Sequence, residues 1–182
     1  DRVVPRGDER PRRRPRDGDV AAGKWYRDLH GQEMSLLKCE SAALSHVGLR
    51  RTNNEDAFFA DDRRCVYAVA DGIGGHSAGE RASAIAIDTF ARAAAPAPDP
   101  KTHLEAVFAE ADHRIHESMD ASSHGMGTTL TVCGISSVGV LYVGHVGDST
   151  LHVLRGGAAH KITQDQSAGH ALLNCLGGRR GN

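Results

Sequence analysis

The chain has 182 residues, a length that suits one domain, or one domain with a tail, and excludes two full domains. Forty percent hydrophobic residues excludes a wholly disordered chain, and with 4% aromatics the core has to be built from Ala, Val, Leu and Ile. The net charge of −1 argues against a dedicated nucleic-acid binder.

That charge is unevenly spread. Residues 1–24 carry seven Arg and Lys24 against five acids, a balance of +3 that leaves −4 for the remainder. The same stretch holds three of the six prolines and almost no large apolar side chain, so it is expected to be a disordered Arg/Pro-rich tail. Its interleaved acids favour a solvated leader over a polyanion-binding arm. No apolar run reaches about 18 residues, so no transmembrane helix is expected, and no signal-peptide core precedes the domain. Cysteines 39, 65, 133 and 175 form no CxxC pair, which fits a reduced cytoplasmic protein and offers no zinc framework.

Residues 25–39 read as a linker or short helix, and 40–48 as a first strand. Residues 57–60 and 65–70 read as two strands joined by the charged turn Asp61-Asp62-Arg63-Arg64. Ser77 and Glu80 make a capping box at the start of a helix over 77–94, striped by Ala82, Ile85, Ala86, Phe90 and Ala93. After a Pro/Ala loop, Asp99 and Pro100 open a second helix lined by Leu104, Val107, Phe108, Ala111 and Ile115. The short loop makes the two helices antiparallel neighbours. His113 and His116 fall on its outer, solvated face. Strands are then expected at 128–135, 138–145 and 149–155, with a short run near Lys161. Strands, two helices, strands is an α+β order with an antiparallel sheet.

Four clusters carry chemistry. Arg50-Arg51-Thr52-Asn53-Asn54-Glu55-Asp56 enters a strand, whose end lets both acids reach one site. Ala70-Asp71-Gly72-Ile73-Gly74-Gly75-His76 follows a buried strand, where an acid needs a partner and a metal ion is a good one. Its glycines let backbone carbonyls approach, and carboxylate with carbonyl oxygen is donor chemistry for Mg²⁺ or Mn²⁺. The spacing is not that of a dinucleotide-binding loop. Gly144-His145-Val146-Gly147-Asp148-Ser149 sets another Asp at a strand junction, and Gly125-Met126-Gly127-Thr128-Thr129 is a small-residue strand entrance. Each alone is also an ordinary turn.

In order, Gly48-x-x-Arg51-x-x-Asn54-Glu55-Asp56, Asp71-Gly72-x-Gly74-Gly75-His76-x-x-Gly79-Glu80-x-Ala82-Ser83, Gly127-Thr128-Thr129, Gly147-Asp148-Ser149 and Thr163-x-Asp165 resemble the metal-dependent protein phosphatase family, also called protein phosphatase 2C, and its bacterial members most. The resemblance runs from about residue 45 to 178. It implies an antiparallel β-sandwich flanked by antiparallel helix pairs, and hydrolysis of phosphoserine and phosphothreonine through a metal-activated water. Two Mn²⁺ or Mg²⁺ ions are implied, with a third more weakly held. Asp56 and Asp71 match metal ligands, Gly72 a carbonyl ligand and Asp148 a ligand of the additional metal. Glu55 matches a carboxylate that holds the attacking water, and Arg51 the phosphate-binding arginine. His76 is a candidate general acid, because imidazole titrates near neutrality.

The implied partners are phosphorylated Ser/Thr proteins made by a cognate kinase, without nucleic acid or membrane. Thr150 stands where the family usually has Arg, Gln166 where it has His or another polar residue, and 167–172 is short. In the family further strands follow, with an Asp-Gly motif and a later Asp that complete the site. The expectation is therefore a partial phosphatase domain over 40–182, C-terminally truncated, with weak or absent catalysis. The alternative is an inactive pseudophosphatase that binds phosphoprotein or metal without turnover.

Overall fold

The computed structural model describes residues 26–27, 33–34, 38–49, 51–74, 77–94, 100–136, 139–168 and 171–178. Two units are distinguished, Asp1–Leu36 and Leu37–Asn182. In the first, β1 (Tyr26–Arg27) pairs antiparallel with β2 (Glu33–Met34), so these residues form a small ladder where a short helix was an option. The expected tail over 1–24 lies outside the described residues.

The second unit is built on one six-stranded sheet, whose strand pairings among the described residues are all antiparallel. Its strands are β3 (Asp56–Asp61), β4 (Val66–Ile73), β5 (Gly127–Thr128), β6 (Leu130–Ile135), β7 (Leu141–Val146) and β12 (Leu176–Gly177). The order is β12-β5-β4-β6-β7, and β3 also pairs with β4. Hairpins β8 (His152–Arg155) with β9 (Ala158–Lys161), and β10 (Ser167–Ala168) with β11 (Ala171–Leu172), stand apart from it.

Helices α1 (Ser77–Ala93) and α2 (Pro100–Glu117) pack on one sheet face, as their apolar stripes require. Ala82, Ala86 and Phe90 of α1 and Val107, Ala111 and Ile115 of α2 meet Ala68, Ala70, Leu130, Val132 and Val146 of the sheet. Few aromatics are needed because alanines let helix and strand approach closely. One aromatic pair, Phe59 with Phe90, meets edge to face at 5.9 Å. The α1 C-terminus is closed by two side chains: Arg64 donates to the Ala94 carbonyl, and His103 bonds the Ala93 carbonyl at 2.9 Å. This is an α+β antiparallel fold.

Three expectations are corrected. Residues 40–48 form no strand, because side chains take up their polar groups. Ser41 N donates to the Asp62 carboxylate (3.2 Å), Ser45 Oγ accepts from Asn54 Nδ2 (2.6 Å), and Gly48 N donates to His46 Nδ1 (2.9 Å). His116 is not solvated; it is half-buried with Nδ1 bonded to the Asp112 carbonyl, and its Nε2 has no partner among the described residues. The cysteines are not all free thiols, since Cys39 and Cys65 are joined, with Cα atoms 5.7 Å apart and a sequence separation of 26.

Closing a loop of that length removes unfolded-state entropy. Reduction, or Cys39→Ser, is expected to lower stability by about 2 kcal/mol and Tm by about 4–8 °C in a thermal melt. Equal melting curves with and without reductant would refute the tether.

Candidate metal and phosphate site

Pairing of β3 with β4 sets Asp56 directly opposite Asp71. Along β4, Ala68, Ala70 and Gly72 are buried while Val69, Asp71 and Ile73 are exposed, so Asp71 points away from the helices. Asp71 was expected at the end of its strand, but β4 continues to Ile73 because Gly72 and Ile73 pair with Thr128 and Gly127. Partial burial raises the Asp71 carboxyl above the usual carboxylate range. The Asp56 carboxylate adds to this, Arg51 opposes it, and Asp148 pushes it further up. These four side chains therefore share one electrostatic neighbourhood.

Glu55 precedes Asp56 and, by strand alternation, turns the other way. It is buried, and its Oε2 accepts from Arg51 Nη1 at 2.8 Å. The Arg51 side chain is 62% exposed against 9% for Glu55, so most of the guanidinium faces outward from a buried anchor. The Glu55 carbonyl accepts from Gly72 N (3.1 Å) and Ser83 Oγ (2.6 Å). Gly72 and Gly79 are glycines because backbones touch there. A Cβ on Gly72 would stand 2.1 Å from the Gly79 carbonyl oxygen, and one on Gly79 3.0 Å from Glu55 Cδ.

The Asp71 backbone is held by two threonines whose positions in the Gly-Thr-Thr motif carried no assigned role in the sequence. Asp71 N donates to Thr129 Oγ1 (2.9 Å), and its carbonyl accepts from Thr129 N (2.9 Å) and Thr128 Oγ1 (3.0 Å). Both threonines are buried. Thr129 Oγ1 also bonds Ser149 Oγ at 2.8 Å, which ties the residue after Asp148 to the Asp71 strand. The signal that marks them is two adjacent hydroxyl residues in an otherwise apolar entrance, since buried hydroxyls need partners.

Arg51, Glu55, Asp56, Asp71 and Gly72 are thus brought together, with Asp148 within electrostatic reach of Asp71. His76 lies outside the described residues. Among the described residues no group of three or more His, Cys, Asp or Glu is arranged to hold a metal ion. Yet Asp56 and Asp71 are facing carboxylates, and the nearby Arg51 is committed to Glu55. Two carboxylates with a backbone carbonyl are hard donors, and Mg²⁺ binds through one or two carboxylates while keeping several waters. In kind, the donors fit such an ion.

Residues 45–172 match the sequence profile of protein phosphatase 2C. The chain belongs to the protein phosphatase 2C family. It is 36% identical over 143 residues to the serine/threonine protein phosphatase PstP of Mycobacterium tuberculosis, covering 73% of this chain and 26% of PstP. It is 34% identical over 143 residues to the protein phosphatase PhpP of Streptococcus pneumoniae, covering 74% of this chain and 58% of PhpP. The chain thus spans about a quarter of one relative and just over half of the other.

A crystal structure of Mycobacterium tuberculosis PstP superposes with a TM-score of 0.68 at 31% identity, covering 78% of this chain and 69% of that one. The PstP catalytic domain in complex with two manganese ions superposes with a TM-score of 0.64 at 38% identity, covering 69% and 55%. The phosphatase 2C fold thus accounts for the sheet and helix pair that carry Asp56 and Asp71. No helix among the described residues is long and apolar enough to cross a membrane.

Proposed function

We propose that this chain is the catalytic part of a metal-dependent protein serine/threonine phosphatase, which hydrolyses phosphoserine and phosphothreonine in proteins phosphorylated by a Ser/Thr kinase. The observation that carries the reading is the cross-strand pair Asp56 and Asp71 beside the anchored Arg51–Glu55 pair. Asp56, Asp71 and the Gly72 carbonyl would hold the ions, with Asp148 serving the weaker one. Bound Mn²⁺ or Mg²⁺ supplies a nucleophile at neutral pH by acidifying water, and offsets charge on the phosphoryl oxygens.

The chain's own residues do the rest. One Arg51 N–H is committed to Glu55, which fixes the side chain, and the exposed remainder of the fork can take two phosphoryl oxygens. The proposed location is the cytoplasm, where the Cys39–Cys65 bond competes with cellular thiols.

Arg51→Ala is expected to reduce kcat/KM for a phosphopeptide by about 30-fold, the loss of one charge-assisted hydrogen-bonding group of about 2 kcal/mol. Unchanged kcat/KM would remove Arg51 from phosphate recognition.

A second reading is motivated by the small number of clustered acids: a non-catalytic protein that binds metal or phosphoprotein. A Mn²⁺-dependent phosphopeptide assay separates the two. Mn²⁺ binding without turnover at any concentration favours the second reading, and turnover that Asp71→Asn removes favours the first.

A further inference from the structure

The Thr163-x-Asp165 motif and the unusual Gln166 have no part in the site as described so far. The structure gives one to Thr163 and Gln166, while Asp165 pairs with Lys161. Residues 145–151 and 162–166 are laced together by five hydrogen bonds. His145 Nε2 meets the Gln164 carbonyl (3.1 Å), Leu151 N donates to Thr163 Oγ1 (3.0 Å) and Ile162 N donates to the Leu151 carbonyl (2.8 Å). The other two both belong to Gln166. Its backbone N donates to the Gly147 carbonyl (2.8 Å), and its side-chain Oε1 accepts from Gly147 N (3.2 Å).

Gly147 is a joint that needs holding. Its φ is +105°, and a Cβ there would stand 2.6 Å from Thr129 Cγ2. The next residue is Asp148, and the one after, Ser149, is bonded to Thr129, whose hydroxyl also accepts from Asp71 N. Asp148 is therefore gripped on both sides: Gln166 holds the residue before it, and Thr129 the residue after it. His145 steadies the base of the clamp. A carbonyl can only accept, so Nε2 carries the proton toward Gln164 and Nδ1 accepts from the Thr131 hydroxyl at 2.8 Å.

We propose that Gln166 is a positioning residue that fixes Asp148 beside Asp71 by clamping both backbone groups of Gly147. The inference rests on the proposed ion-binding role of Asp148 and deepens it. Outer residues that orient a ligand carry a substantial part of the affinity for the ion. Here the orienting residue acts on the backbone, presenting its side-chain Oε1 as acceptor and its own backbone N–H as donor to one glycine.

The test is a Mn²⁺ titration of the 182-residue chain followed by electron paramagnetic resonance, on wild type, Gln166→Met, Asp148→Asn, the double variant and Gln166→Glu. Amide hydrogen exchange at Gly147 is followed in parallel. Gln166→Met keeps the side-chain volume and removes the acceptor. It is expected to weaken the most weakly held ion about tenfold, leave tighter binding unchanged and speed exchange at Gly147. Gln166→Glu keeps an acceptor at the same reach and restores both. Because Gln166 acts through Asp148, the double variant binds Mn²⁺ no more weakly than Asp148→Asn alone.

An unaltered titration for Gln166→Met, or a loss that adds to that of Asp148→Asn, overturns the clamp and leaves the phosphatase reading standing. Absence of Mn²⁺ binding to the wild-type chain overturns that reading and the clamp with it.

Discussion

Asp71→Asn is expected to abolish Mn²⁺-dependent phosphopeptide hydrolysis and, in the same variant, to raise the melting temperature of the metal-free protein. The first effect follows from removing a proposed ligand. If the ions contribute several kcal/mol to the transition state, turnover falls by about 10³-fold. The second follows from the electrostatics. Partial burial, and the Asp56 and Asp148 carboxylates, raise the Asp71 carboxyl against the opposing pull of Arg51.

The folded protein therefore holds that proton more tightly than the unfolded chain does. Stability falls as pH rises through the carboxylate range, and the penalty is fully present at neutrality. Asparagine removes it. The gain is limited to about 1 kcal/mol or less by solvent screening, a rise in Tm of at most about 2–4 °C. Calorimetry in EDTA at acidic and neutral pH reads both the shift and its pH dependence. A variant that melts no higher than wild type at neutral pH would refute the repulsion, and one that retains turnover would refute the ligand role. A gain in stability paired with a loss of function is the mark of a site strained for its task.

Gly72→Ala is expected to be among the most damaging single-methyl additions in the chain. The new Cβ would lie 2.1 Å from the Gly79 carbonyl oxygen and 2.8 Å from that of Glu55. Both obstacles are backbone, so no rotamer change relieves them. Overpacking of this kind costs about 3 kcal/mol or more, a fall in Tm of about 6–12 °C. Gly156→Ala is the control: nothing lies within 4 Å of the added carbon, and only the φ of +59° resists, a cost of about 1 kcal/mol. A Gly72→Ala variant that melts no lower than Gly156→Ala would show that the two backbones part easily.

Where local pattern decided structure, the sequence was legible. Helix α1 opens at Ser77, where Ser77 and Glu80 marked a start, and α2 opens at Pro100 as the Asp99-Pro100 step required. The turn over 61–64 was legible because Asp61 caps it, accepting from Arg63 N and Arg64 N at 3.0 Å each. Residues 40–48 read as a strand, although polar Glu40, Ser41, Ser45 and His46 interrupt their apolar side chains. What they lack is a strand partner among the described residues, and no local pattern shows that. The Cys39–Cys65 pairing was hidden because it depends on the β3–β4 turn returning to a segment 26 residues earlier.

At the site, the ordered acids pointed to Asp56 and Asp71, but their facing positions come from strand register. Motif order also marked Thr129 and Ser149 without a role, since the bond between them crosses from the β5–β6 break to the residue after Asp148.

The alanines under α1 have a consequence for the site they never touch. Ala82 and Ala86 meet Ala68 and Ala70, and no side chain among them has a rotamer to adjust. Together they act as a spacer of fixed thickness between helix and strand. Gly79 belongs to that helix and Gly72 to that strand, so the gap between the two glycines is gauged by methyl groups. The register of Glu55 against Gly72 depends on the same thickness. An insertion of bulk into the alanine layer would be felt first at the start of the helix, where Gly79 meets Gly72 and Glu55, and only later in the core itself.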